Sequence, residues 1–307
     1  MANSSPRSLL LKDNLWKPEL RVTQSSMTTC VLSSKAATFL PVTSQRLDAA
    51  LAERGLARSR THAATLISEG FVRVGGKVVN KASTKVEETD ALSVDGADHY
   101  VSRAAHKLLA GLEGFGIDVK GRAAFDVGAS TGGFTQVLLE RGAEPVVALD
   151  VGHGQLSPRI RSDERVLVVE GVNAKNLDQS QLSGLVKQDF VADVVVADLS
   201  FISLTHVMAA LKACATPTAD YVLLVKPQFE VGRTGVKEGI VTNPALREDA
   251  VMAVLWSAFD NGLGVCGILS SPILGGAGNH EYVLWLRADS QSNPSEWTQQ
   301  VHQLAGA

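Results

Sequence analysis

Asp126-Val-Gly-Ala-Ser-Thr-Gly-Gly-Phe-Thr135 decides how the rest of the chain is read. It follows a short apolar run, residues 123–127, and opens an amphipathic one, residues 134–141, so it reads as the turn between a buried strand and a helix. Such a turn is where an open α/β sheet takes its ligands. Gly128, Gly132 and Gly133 permit sharp bends and close approach of the backbone to a ligand. Together with Asp126, Ser130, Thr131 and Phe134 they form a candidate site for a nucleotide-type cofactor, although an ordinary glycine-rich loop has the same look. Asp150, at the end of the next strand and about 20 residues on, is positioned to accept hydrogen bonds from ribose hydroxyls. That arrangement suits a nicotinamide dinucleotide and S-adenosylmethionine alike.

Outward from the turn, buried-strand candidates at 145–149, 166–169, 191–197, 221–225, after Gly264 and at 281–286 alternate with helical segments such as 202–213 and 244–262. Alternation of this length predicts an α/β, doubly wound, Rossmann-like parallel sheet covered on both faces. Upstream lies a smaller α+β pattern. Residues 46–55 and 58–70 are two short helices ending at glycine, and Phe71-Val-Arg-Val74, Gly75-Gly76 and Lys77-Val-Val79 spell a hairpin. Residues 1–43, rich in Ser and Thr, hold Pro6, Pro18 and Pro41 and no sustained period, and are expected to be a disordered leader. The predicted division is a small module at 44–97, a linker at 98–103, a larger domain at 104–290 and a tail at 291–307.

Composition bounds the function. The chain has 307 residues, 45% hydrophobic and 20% charged, and no apolar run approaches the roughly 20 residues that span a bilayer. Cys30, Cys214 and Cys266 are odd in number and widely spaced, which argues against a disulfide framework or a metal site and for a reducing cytoplasm. Lys12, Asp13, Lys17 and Glu19 interrupt any signal-peptide-like run. The net charge of −3 hides an asymmetry: residues 44–86 carry eight cations against three anions, a net +5, which leaves −8 for the remainder. A basic binding module joined to an acidic body is the implication.

Two charged residues stand at the ends of apolar strands, Asp198 in Val196-Ala-Asp-Leu-Ser-Phe201 and Lys226 in Val225-Lys-Pro-Gln-Phe-Glu230. A charge there is costly unless paired, so they are either functional or a structural ion pair at the sheet rim. At this point the chain resembles the TlyA family of ribosomal RNA 2'-O-ribose methyltransferases, historically called haemolysins. The resemblance runs from about Gln45 to Arg287 and is carried by Val101-Ser-Arg-Ala-Ala-His-Lys-Leu108, the glycine turn, Ala197-Asp-Leu-Ser-Phe201, Leu224-Val-Lys-Pro-Gln-Phe-Glu230 and Gly278-Asn-His-Glu-Tyr282.

The resemblance implies an S4-like RNA-binding domain followed by an FtsJ-type domain using S-adenosylmethionine. It also implies a catalytic tetrad at Lys107, Asp198, Lys226 and Glu281, with Asp198 near the sulfonium methyl. A ribose hydroxyl is a poor nucleophile near neutral pH and needs a base or a stabilised alkoxide. Lys226 is the candidate: desolvation and the like charge of Lys107 favour its neutral amine, Asp198 its charged form. Lys107 and Glu281 taken singly would pass for a surface lysine and a strand-start acid. His106 and His280 border the tetrad without a third ligand, and no metal is expected. Tyr100 stands where relatives often have Trp.

Asn173 is positioned either to contact the adenine or to cap a helix. Arg46, Arg58, Arg60, Lys77 and Lys81 are candidate phosphate contacts, and residues 232–243, with Arg233 and Lys237, form a glycine-bounded segment expected to close over RNA. The substrate implied is ribosomal RNA or a ribosomal subunit, with cytidines in 16S and 23S rRNA as the targets. The alternatives are a membrane-active haemolysin and a non-catalytic assembly factor.

Overall fold

The computed structural model describes residues 44–57, 59–68, 70–94, 99–232 and 235–306. The expected leader, Arg58 and Arg233 lie outside them. The small module contains β1 (Gln45–Arg46), α1 (Leu47–Glu53), α2 (Arg60–Ser68), β2 (Val72–Val74), β3 (Lys77–Val78), β4 (Lys85–Val86) and β5 (Leu92–Val94). β1 pairs with β4, and β3–β2–β5 form an antiparallel sheet whose Val74↔Lys77 pairing closes on the Gly75–Gly76 turn. Leu47, Leu51, Ala63, Ile67, Val72 and Val86 make its core, contributed by both helices and two strands.

The larger domain is built on β6 (Ala124–Val127), β7 (Val146–Asp150), β8 (Val166–Glu170), β9 (Ala192–Ala197), β10 (Ala215–Val225), β11 (Gly264–Ser270) and β12 (Tyr282–Arg287). They form one sheet in the order β11-β12-β10-β9-β6-β7-β8. Its helices are α3 (Ala105–Phe115), α4 (Gly133–Glu140), α5 (Pro158–Arg161), α6 (Gln179–Val186), α7 (Met208–Ala213), α8 (Pro227–Glu230), α9 (Pro244–Asp260) and α10 (Thr298–Ala305). The central strands are buried on both sides, which is why they read as largely apolar runs, interrupted by Asp126 in β6 and Asp193 in β9. One face packs Leu108, Leu112, Val137 and Leu138 of α3 and α4. The other packs Leu182, Met208, Val251 and Val301 of α6, α7, α9 and α10. The sheet is thus doubly wound, as expected.

Three features differ from expectation. β12 is antiparallel to both neighbours, β10 and β11. Its link from β11, residues 271–281, holds no helix, and without a crossover a chain can only return antiparallel. The helix expected over 202–213 is split into a 3₁₀ turn, Leu204–His206, and α7. The predicted tail contains α10, preceded by a 3₁₀ turn, Pro294–Trp297, that opens with a capping box in which the side chains of Asn293 and Glu296 satisfy backbone amides. Arg247 ties α10 down, donating to the carbonyl of Ala305 at 2.6 and 3.2 Å.

α3 approaches the sheet through Gly111, where a β-carbon would lie 2.8 Å from Val283 and 3.0 Å from Val222. That close contact brings Lys107, one turn earlier, to the ends of the central strands.

Candidate active site

The turn after β6 is held from beneath. Asp126 is fully buried, and its Oδ2 accepts the Thr135 hydroxyl at 2.6 Å while Oδ1 has no partner. Burial pushes its carboxyl up to about 7, against the pull of the Thr135 hydroxyl. It lies beneath the turn and lines neither of the two cavities that open there. Above it, Gly128 has φ +86° and lies so close to β9 that a β-carbon would be 3.0 Å from the Asp198 carbonyl oxygen. Asp150 braces the turn: its Oδ2 accepts from the Ser130 amide at 2.8 Å and its Oδ1 from the Gly152 amide at 2.7 Å. A carboxylate has further lone pairs, so these bonds leave it able to accept hydroxyls.

A cavity of about 620 Å³ opens here, with Gly128, Ser130, Asp150 and Asn173 on one side and Leu199 and Phe201 on the other. A polar cavity of about 170 Å³ adjoins it, sharing Gly128, Ser130, Asp198 and Ser200, and is lined by Thr131, Gly133, Phe134 and Lys226. Gly132, with φ +96°, lies in neither lining and starts α4. Asn173 does one of the two things expected: its Oδ1 caps the 3₁₀ turn Ala174–Asn176 by accepting from the Lys175 amide at 2.9 Å. It also lines the larger cavity.

Beside the smaller cavity the four charges of the proposed tetrad converge. Lys107 Nζ donates to Glu281 Oε2 at 2.6 Å and lies 3.8 Å from Asp198 Oδ2. Lys226 Nζ stands 2.6 Å from Asp198 Oδ1, an ion pair whose angles fall outside a hydrogen bond, and donates to Ser200 Oγ at 3.0 Å. Lys107, Lys226 and Glu281 are 6%, 8% and 4% exposed, so the charges alternate in sign in a largely dry site. Each ammonium therefore has a carboxylate, as buried charges require. Gly275 packs against Glu281, where a β-carbon would be 2.4 Å from Oε1.

Several neighbours were missed from sequence: Ser200, Gln228, whose amide is 3.5 Å from Glu281, and Phe201. All stand inside the quoted blocks, so proximity to Asp198 and Lys226 was the available signal. Phe201 is 92% exposed, has φ +66° and tilts against Phe229 at 5.3 Å between ring centres.

In the small module, Arg46 and Arg60 both reach Asp48, at 3.0 and 3.4 Å, and chiefly the Arg46 bond holds that carboxyl down at about 2. Lys77 and Lys81 are exposed. Lys237 is also exposed, on a segment pinned from two sides. Buried Asn279 donates to the Gly239 carbonyl at 2.7 Å and accepts from the Val241 amide at 2.9 Å, while Arg247 binds the Val241 and Thr242 carbonyls. Among the described residues no group of three His, Cys, Asp or Glu could hold a metal ion, and no helix is long and apolar enough to cross a membrane.

A two-part cavity at the mouth of a doubly wound sheet, a charged quartet beside it and a basic α+β module ahead of it define a methyltransferase that carries its own RNA-binding domain. Residues 100–288 match the FtsJ-like methyltransferase family and residues 45–92 the S4 domain. A Mycobacterium tuberculosis protein named 16S/23S rRNA (cytidine-2'-O)-methyltransferase TlyA is 51% identical over 80% of this chain and 90% of its own. Hemolysin A of Brachyspira hyodysenteriae is 38% identical over 78% of this chain and 98% of its own. A solved structure named as a hemolysin from Streptococcus thermophilus has a TM-score of 0.67 at 34% identity, over 86% of this chain and 96% of that one. The chain belongs to the TlyA family of FtsJ-like methyltransferases.

Proposed function

We propose that this protein transfers a methyl group from S-adenosylmethionine to a ribose 2'-hydroxyl of ribosomal RNA, cytidines in 16S and 23S rRNA being the expected targets. The observation that carries this is the alternating quartet Glu281, Lys107, Asp198, Lys226 at the edge of the cavity pair. The larger cavity fits the cofactor's nucleoside: Asp150 offers spare acceptor capacity, and Leu149, Val151 and Val172 supply apolar walls. The smaller polar cavity fits its amino-acid end, and the Gly128 cradle is space that a β-carbon would fill. When bound, S-adenosylmethionine supplies an electrophilic methyl group on a sulfonium.

The chain's residues do the rest. As the ammonium paired with Asp198, Lys226 steadies the developing alkoxide; only as a neutral amine, its own proton already released to solvent, does it receive the hydroxyl's proton. Asp198 holds the lysine ammoniums in place, and Glu281 fixes Lys107. Much of the acceleration comes from alignment of hydroxyl and methyl carbon. Phe201, exposed at the rim, offers a face on which a base can stack. Arg46, Arg60, Lys77, Lys81 and Lys237 supply phosphate contacts that hold the RNA without reading its sequence. A ribosomal substrate makes the cytoplasm the place of work.

The test is transfer of labelled methyl groups to unmodified ribosomal RNA, with the product mapped at ribose. Lys226→Ala is expected to lose about 10²–10⁴-fold in rate. Full transfer by that variant, or label on bases instead of ribose, sinks the mechanism.

A further inference from the structure

Glu230 has no place in the chemistry above, yet it is a partly buried carboxylate that meets the loop after β9. Its Oε1 accepts from the Leu204 amide at 2.9 Å, and its Oε2 accepts the Ser203 hydroxyl. Ser203 in turn caps the 3₁₀ turn by accepting from the Thr205 amide at 3.1 Å. Burial pushes the Glu230 carboxyl up, against both of these hydrogen bonds. A carboxylate is kept in such a place only where specific donors meet it, and both donors here belong to one loop.

That loop, residues 198–204, is the far wall of the larger cavity through Leu199, Phe201 and Ile202. Its backbone is held in an unfavourable conformation, since Phe201 is a bulky residue at φ +66° with its ring 92% in solvent. Such a conformation persists only where the surroundings over-determine it. Two restraints flank it. On the N-terminal side Lys226 binds Ser200 and Asp198; on the C-terminal side Glu230 binds Ser203 and Leu204. Both restraints issue from one turn of chain, Lys226 and the helix α8 that follows it, with Phe229 against Phe201 between them.

We infer that Glu230 is a positioning residue that clips residues 200–204 into the shape of a cofactor-cavity wall, so that it governs affinity for S-adenosylmethionine separately from the methyl-transfer step. The inference rests on the assignment of the larger cavity to that cofactor. Removing the clip frees the C-terminal half of the loop and lets Phe201 relax. Asp198 and Lys226, fixed at the ends of β9 and β10, keep their pairing.

The experiment is calorimetric binding of S-adenosylmethionine, with kcat at saturating cofactor, for wild type, Glu230→Ala, Glu230→Gln and Ser203→Ala. Loss of two hydrogen bonds to the wall predicts a Kd for Glu230→Ala raised about tenfold, with kcat within about threefold. Glutamine keeps an acceptor for Leu204 and a polar partner for Ser203, so Glu230→Gln is expected within about threefold of wild type in Kd. Ser203→Ala, which leaves the Leu204 bond to Glu230 in place, should weaken binding by less than Glu230→Ala. A residue that only stabilised the fold would lower the melting temperature and leave Kd of the folded protein unchanged; that result overturns the inference. So does a Glu230→Gln variant as weak as Glu230→Ala, or a kcat that falls while Kd holds. Failure of the wild type itself to bind S-adenosylmethionine would overturn the cofactor assignment instead.

Discussion

Replacing Asp126 by Asn tests whether the turn rests on a buried, proton-carrying acid. The carboxyl is fully buried with one oxygen lacking any partner, and burial lifts it from the ordinary 3.8 to about 7. Between those values the folded protein holds a proton that the unfolded chain has released. Stability therefore falls as pH rises through that window; the contribution is complete below about pH 4 and gone above about pH 7. A span of about three pH units is worth about 4 kcal/mol, of which about 2–3 kcal/mol falls between pH 5 and pH 8. Asparagine fills the same space, can accept the Thr135 hydroxyl and does not titrate, so subtracting the variant from wild type removes every other group's contribution. Denaturant unfolding of both proteins at pH 5 and pH 8 is the assay. Asp126→Asn should gain about 2–3 kcal/mol on wild type over that interval. A difference that stays flat, or changes in the opposite sense, refutes the burial argument.

Two other changes probe how the site is placed. Gly111→Ala forces a methyl group against Val283 and Val222, at a cost of about 1–3 kcal/mol in unfolding free energy. It should also lower kcat by moving Lys107, and a variant with unchanged stability and rate would mean that α3 is not held by this contact. Lys77→Ala and Lys81→Ala should each weaken RNA binding evenly across sequences and flatten the slope of log affinity against log salt by about 1. An unchanged slope would remove these lysines from the RNA-facing surface.

The strand–turn–helix unit and the central sheet were legible because strands buried on both faces are mostly apolar, as residues 124–127 and 192–197 are apart from Asp126 and Asp193. Strand direction leaves no such trace, so β12 was read as parallel. α10 escaped because it is short and mostly polar, burying only Val301 and Ala305; the capping box of the 3₁₀ turn that leads into it, Asn293 to Glu296, was the readable sign. In the site, Asp198 and Lys226 stood out as charges ending apolar strands. Lys107 and Glu281 lie 174 residues apart and became candidates only through the family resemblance, because spacing cannot report a 2.6 Å contact across the fold. Nor does spacing report that Thr135, nine positions on from Asp126, folds back to cover it.

The reversed strand has a consequence of its own. Strands running with the sheet can offer only their last residues to the ligand-binding rim, as β9 and β10 do through Asp198 and Lys226. β12 enters from that rim, so it is the residue just before its first, Glu281, that arrives there. The quartet is therefore completed by the last strand of the sheet to be made. During synthesis, the small basic module and the glycine turn are both made before the acid that secures Lys107. A growing chain therefore carries an incomplete quartet until residue 281 is added.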